Sequence, residues 1–280
     1  MKLEGWKYYN HAVIPATAPH EEPDTTPILD GSVWKNVGQK AFLARWTTAF
    51  DCGQETQWWY CIKDTPYDPM LLNSKKRYTI TKGRKHFDVR IIDLLAHKED
   101  LYRVQTKAFA AYPSQYRPHI TKDTFEREIR SWNNFVILGA FLRESEELCG
   151  YVLLREQANC VHLPVLKTAP EYEKMQVNAA LVDAVLQHYS NKLGSGFYIC
   201  DGERNILHET AFQEYLEKYF GFRKAYCKLH ILYRKPFGLI VNALMVFRKM
   251  LRKMDGVGLV NKINGVLLME EIYRSQVTQK

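Results

Sequence analysis

Apolar positions recur at helical spacing in several stretches of this chain. Residues 97–111 place Leu101, Val104, Ala108 and Ala111 on one face, and residues 172–190 do the same with Met175, Val177, Ala180, Leu181, Ala184, Val185 and Tyr189. Residues 211–220 repeat the pattern with Ala211, Phe212, Tyr215, Leu216, Tyr219 and Phe220, and Gly221 follows as the helix stop. A charged helix is predicted over 121–131, with Thr121 or Thr124 as its cap, and a basic helix over 70–85. Between these lie β-prone runs. AFLARWTTAF and TQWWYCIKD flank the turn-rich DCGQET and predict a hairpin; FVILGAFLR and LCGYVLLREQ predict another around ESEE. KHFDVRIID, CVHLPVLK and GFYICD predict single strands, and the period-two stretch after Gly221 predicts a long hairpin ending near residue 235. Residues 1–40 read as irregular or short strands, with a surface loop over 20–30.

The tail, 236–280, differs in character. IVNALMVFRKMLRKM has helical apolar spacing with Arg248, Lys249, Arg252 and Lys253 clustered, and a glycine-interrupted apolar stretch follows. This fits either a helix lying in a membrane interface or one packed on the body.

Charge adds a preference for anions. The 280 residues carry a net charge of +8, which suits a phosphorylated ligand, an RNA or an acidic membrane face. Lys75, Lys76, Arg77, Lys82, Arg84 and Lys85 crowd one segment, which could meet tRNA phosphates or a lipid diphosphate, or simply form a solvated helix face. The cysteines at 52, 61, 149, 160, 200 and 227 show no Cys-x-x-Cys spacing, and several lie in apolar runs. They predict a reducing, cytoplasmic setting, extended to the inner face of a membrane if the tail binds lipid. No signal-peptide pattern and no apolar run of membrane-spanning length is present. The sequence offers no Gly-x-Ser-x-Gly elbow, and no metal is expected.

The order strand, helix, helix, hairpin, strand, helix, strand, helix, hairpin over residues 86–235 resembles the GNAT acyltransferases, most closely at GFYICD and YFGFRKAY. The basic segment NSKKRYTITKGRKHFDVRII is similar to the stretch joining the two GNAT-like lobes of Fem-type peptidyltransferases and their FemAB-like relatives. The resemblance implies an α+β fold, a GNAT-like mixed central sheet flanked by helices. It implies a reduced N-terminal lobe over 1–85, an acyltransferase domain over 86–235 and a basic amphipathic tail over 236–280.

The resemblance further implies an N-acyltransferase using acetyl-CoA or another acyl-CoA, with a small-molecule or glycan amine as acceptor, such as an amino sugar or cell-surface glycan precursor. Aminoacyl-tRNA as donor, and a non-catalytic glycan- or membrane-binding scaffold, are the alternatives. The donor would lie along Val165, Leu166 and Lys167 of the fourth strand and at the following loop, with Lys174, Val177, Asn178 and Ala179. That loop lacks the family's glycines and carries Glu171 and Glu173. The family's acid, a Tyr four residues before the helix-ending glycine, falls here at Glu217, flanked by Tyr215 and Tyr219. His208 and His162 are the candidate bases, and Tyr112, Tyr116 and Arg117 the candidate acceptor contacts.

Overall fold

The computed structural model describes residues 5–36, 41–112, 117–206, 211–254 and 258–278. In chain order, β1 (Trp6–Tyr9), β2 (Ala12–Pro15), α1 (Thr26–Leu29), α2 (Ser32–Asn36), β3 (Leu43–Thr48) and β4 (Trp58–Lys63) precede α3 (Ser74–His86) and β5 (Phe87–Ile91). Then come α4 (Lys98–Ala110), α5 (Lys122–Ile129), β6 (Val136–Leu142), β7 (Leu148–Gln157), β8 (Cys160–Thr168), α6 (Val177–His188), β9 (Tyr198–Glu203), α7 (Phe212–Phe220) and β10 (Arg223–Tyr233). The tail forms α8 (Phe237–Val246), α9 (Arg248–Leu251) and α10 (Gly258–Thr278).

Two compact units result. The first comprises Met1–Cys61, Glu203–Thr210 and Lys224–Lys280; the second comprises Ile62–Gly202 and Ala211–Arg223. These divisions differ from boundaries at 85/86 and 235/236, because the strand after Gly221 returns to pair near the N-terminus.

In the first unit, β1 and β2 form a hairpin whose two turn residues, Asn10 and His11, both have positive φ. That is the twist a two-residue hairpin favours. β2 runs parallel to β3, and β3 pairs antiparallel with β10 from Leu43↔Tyr233 to Thr48↔Lys228. Two expectations are corrected here. The stretch after Gly221 is one long strand, since Arg223–Tyr233 holds no Gly, Pro, Asn or Asp to turn it. β3 and β4 do not form a hairpin with each other, because β10 lies between them. Trp6, Val13, Ile28, Val33, Ala41 and Ala44 make the local core. Arg45, on the opposite face of β3 from Ala44, is ion-paired with Glu203, which also accepts from Tyr60 Oη at 3.1 Å.

In the second unit the strand order is β9-β8-β7-β6-β5, antiparallel except for the parallel pair β8–β9. The expected β6–β7 hairpin is present. Leu101 and Val104 of α4, Phe125 and Ile129 of α5, and Tyr151 and Leu153 of β7 share one core. Thr121 caps α5, and Thr124 closes a capping box with it. Gly221 ends α7 at φ +70, as its position predicts.

The helix expected over 172–190 starts later. Pro170–Met175 is a 3-10 segment, Gln176 takes a left-handed conformation, and α6 begins at Val177. Asp183 of α6 is buried yet accepts from Arg84 Nε at 2.7 Å, Arg84 Nη2 at 2.9 Å and Tyr67 Oη at 2.7 Å. This satisfied carboxylate fixes α3 against α6. The approach is close: a Cβ on Gly83 would lie 2.8 Å from the Gln176 carbonyl oxygen and 3.0 Å from the Ala180 nitrogen. Gly83→Ala is therefore expected to destabilise the protein by about 1–3 kcal/mol, despite the roughly 1 kcal/mol that Ala gains over Gly in a helix. Urea denaturation checks this, and equal or greater stability of the variant would contradict the packing described.

Candidate active site

β8 and β9 run side by side only at their beginnings. The pairs Cys160↔Tyr198, Val161↔Ile199 and His162↔Cys200 are the extent of the ladder among the described residues, although β8 continues to Thr168. The cause is local. In β7–β8 the register passes from Arg155↔His162 to Leu153↔Val165, so Leu163 and Pro164 together oppose Leu154. Proline has no N–H for a ladder, and a bulge bends the strand that carries it. Beyond the bulge, Val165, Leu166 and Lys167 remain paired to β7 on one edge and extend past the end of the β9 ladder on the other. Main-chain groups on such an edge are available to a ligand.

Asp201 follows the last pair directly. It is half-buried, and burial pushes its carboxyl up to about 6, opposed by the hydrogen bond that it accepts from Gln213 Nε2 at 3.2 Å. A carboxyl titrating near neutrality beside a strand edge has the properties of a general base. Sequence reasoning placed GFYICD as a strand and passed over its terminal acid. The available signal was a lone carboxylate closing an apolar run. His162 sits at the fork with its Nε2 3.7 Å from Cys160 Sγ. Strand alternation sends His162 and Asp201 to opposite faces of the sheet, so they are not brought together.

α7 carries the tyrosines. Gln213, Leu216 and Phe220 form its buried side. Tyr215 and Tyr219, one turn apart with ring centroids at 5.0 Å, lie on another flank, about 200° around the helix from Gln213 to Tyr215. The Tyr215 hydroxyl is covered, has no hydrogen-bond partner among the described residues, and is held well above the usual phenol range by burial. Tyr219 and Glu217 are half-buried. His208 and Tyr116 lie outside the described residues.

The expected donor cradle divides. Val177 and Ala179 are completely covered, at 0% exposure, and cannot touch a ligand in this conformation. Lys174 is exposed and Asn178 half-buried, the latter accepting from Thr168 Oγ1 at 3.1 Å. Glu171 does not stand as a bare negative charge, because Lys107 pairs with it at 2.5 Å and holds its carboxyl below the ordinary range. The acceptor-side residues, by contrast, converge on β8. Lys167 Nζ donates to Tyr112 Oη at 3.1 Å and lies 4.6 Å from the Phe109 ring centroid, while Arg117 donates to the Tyr112 carbonyl at 3.2 and 3.3 Å. On α3, Lys75, Arg77 and Lys85 are exposed, and Arg84 is tied to Asp183. Among the described residues no cluster of side chains suits a metal ion.

Asp201 makes stability depend on pH in a specific direction. Its folded pKa of about 6 exceeds the ordinary 3.8, so the native state binds this proton more tightly than the unfolded chain. The resulting stabilisation is complete below about pH 4 and is lost as pH rises through 6. Asp201→Asn is expected to be more stable than wild type at about pH 8, by about 2 kcal/mol, with the gap closing toward about pH 4. Denaturation curves at the two pH values test this; a gap independent of pH would refute it.

No protein-family model matches the chain, and no curated relative matches it. Solved structures do. The C-terminal domain of an Agrobacterium fabrum protein provisionally assigned as a lysylphosphatidylglycerol synthetase is 10% identical, with 86% of this chain and 84% of that one covered at a TM-score of 0.50. L-PGS from Bacillus licheniformis is 11% identical over 88% of this chain and 85% of that one, with a TM-score of 0.49. FemX is 10% identical over 71% and 73%, with a TM-score of 0.47. At such identities the likeness concerns the fold, which is α+β, a GNAT-like mixed sheet flanked by helices.

Proposed function

We propose that this chain is an acyltransferase in which an amine attacks an activated acyl group lying along the open edge of β8. The observation that carries the reading is the parting of β8 and β9 beside Asp201. In the reaction the amine nitrogen bonds to the acyl carbon, the bond to the leaving sulfur or oxygen breaks, and Asp201 accepts the amine proton. Main-chain N–H groups of β8 would stabilise the oxyanion. The leaving group takes a proton from Tyr219, in preference to Tyr215, whose hydroxyl is covered.

The donor favoured is an acyl-CoA, acetyl-CoA in the simplest case, held through Lys167, Lys174 and Asn178. Its acceptor is the amine of a sugar or glycan precursor, met by Tyr112 and Arg117 near Lys167. Two observations favour a second donor, aminoacyl-tRNA: the covered Val177 and Ala179 offer nothing to a pyrophosphate, and α3 exposes Lys75, Arg77 and Lys85. The description of the Agrobacterium fabrum structure as a lysylphosphatidylglycerol synthetase domain agrees with an aminoacyl group.

Titration calorimetry with acetyl-CoA and with deacylated tRNA separates these readings. Binding of CoA alone supports the first, and binding of tRNA alone the second. Failure of both by folded protein removes the enzyme and leaves a non-catalytic scaffold. With the donor that binds, kcat/KM is expected to rise with pH around an apparent pKa of about 6, and Asp201→Asn to lose roughly 100- to 10,000-fold. A pH-independent profile or an active variant would remove Asp201 from the base role.

A further inference from the structure

The tail divides into two parts with opposite behaviour. α10 is packed down: Leu267 and Ile272 are fully buried, Glu270 accepts from Tyr233 Oη at 2.8 Å, and Gln276 accepts from the Leu229 N–H at 2.9 Å. α8, α9 and the turn Arg252–Met254 instead turn their large apolar side chains outward. Leu239 is 74% exposed, Val246 80%, Phe247 55% and Met250 56%, with Ile240 and Met254 also exposed. Leu239, Ala243 and Val246 of α8 recur at three- and four-residue steps and share one face as a stripe, and Phe247 and Met250 are exposed directly after it. The stripe has a firm base. Val241 is buried on the inner side, and Arg248 turns inward to Asn264 at 2.8 Å and Glu271 at 3.1 Å. Arg274 of α10 donates to Asn242 at 2.6 Å.

Over the stretch from Lys235 to Met254 the charges have one sign. Lys235, Lys249, Arg252 and Lys253 are exposed and make no ion pair among the described residues, and no acid occurs between Lys235 and Met254. An apolar protein surface, a second copy included, would cover the stripe and leave these cations unmatched. A bilayer surface with anionic headgroups matches both: acyl chains receive the apolar residues, and phosphates meet cations whose long stems reach outward. No helix among the described residues is long and apolar enough to cross a membrane, so contact would be in the plane of the interface.

We infer that α8–α9 is a shallow docking surface for an anionic lipid bilayer. This is independent of the acyl-transfer reading. Flotation with phosphatidylcholine vesicles, with and without phosphatidylglycerol, tests it on the full chain. Wild type is expected to float with the phosphatidylglycerol vesicles, less so in high salt, and weakly with phosphatidylcholine alone. Lys249→Gln/Arg252→Gln/Lys253→Gln should weaken partitioning about fivefold per cation, on the order of 100-fold in all. Val246→Ser/Phe247→Ser should weaken it on both vesicle types, with circular dichroism and Tm confirming the fold. The charge variant keeps the test decisive if the apolar variant unfolds. Absence of flotation, partitioning that ignores the charge substitutions, or a concentration-dependent dimer abolished by Val246→Asp in place of vesicle binding would overturn the inference.

Discussion

The short ladder between β8 and β9 is the constraint on which the candidate site depends. Three paired positions hold the strands together at Cys160–His162 and Tyr198–Cys200. At the next two residues Leu163 and Pro164 share one partner, and the strand bends. A parallel ladder needs evenly spaced donors, and a residue without an N–H interrupts that spacing. The result is an edge of main-chain groups inside a folded unit, where edges are ordinarily paired or covered. Val165, Leu166 and Lys167 owe their availability to that one irregularity, and Asp201 owes its place beside it to being the first residue of β9 past the ladder.

Burial then sets the chemistry. Asp201 keeps a raised pKa because its hydrogen bond from Gln213 offsets only part of the desolvation. Asp183, more deeply buried, is met by a bidentate Arg84 and a tyrosine hydroxyl, and serves as an anchor for α3. The contrast between two aspartates of one unit lies in their partners: a cation with two aligned donors satisfies one, while a single amide leaves the other poised to exchange a proton. Lys167 is held above the aromatic rings of Phe109 and Tyr112, which ties the end of α4 to the open part of β8.

In the first unit the same principle of partnering separates the two halves of the tail. α10 buries Leu267 and Ile272 and bonds to β10 through Glu270 and Gln276. α8–α9 packs on one side, and its outer apolar residues stay exposed beside cations that make no ion pair among the described residues.

Much of this was legible in the residues. Helical period marked α4, α6 and α7; apolar β-prone runs marked β6 to β9 and alternation marked β10; Gly221 and the pair Thr121 or Thr124 marked helix ends, because backbone conformation at those points depends on the residue itself. Pairing was not legible in the same way. β3 and β4 read as a hairpin because nearest neighbours in sequence are the default partners, yet β10 arrives from far along the chain to lie between them. Val177 and Ala179 read as a ligand cradle only through the GNAT resemblance, which implied a phosphate loop there, while α3, held to α6 by the close approach at Gly83 and by the Arg84–Asp183 pair, helps to fix the surroundings in which both are covered. Asp201 drew no notice as a lone acid at a strand end, since a raised pKa comes from surroundings assembled by α7 and β9 together. Local period, caps and charge were determined by the sequence alone, because they follow from single residues and their near neighbours. Strand order, the open edge of β8, the proton affinity of Asp201 and the exposed half of the tail were decided by the tertiary structure, because each depends on which distant segment arrives to pair, cover or leave bare.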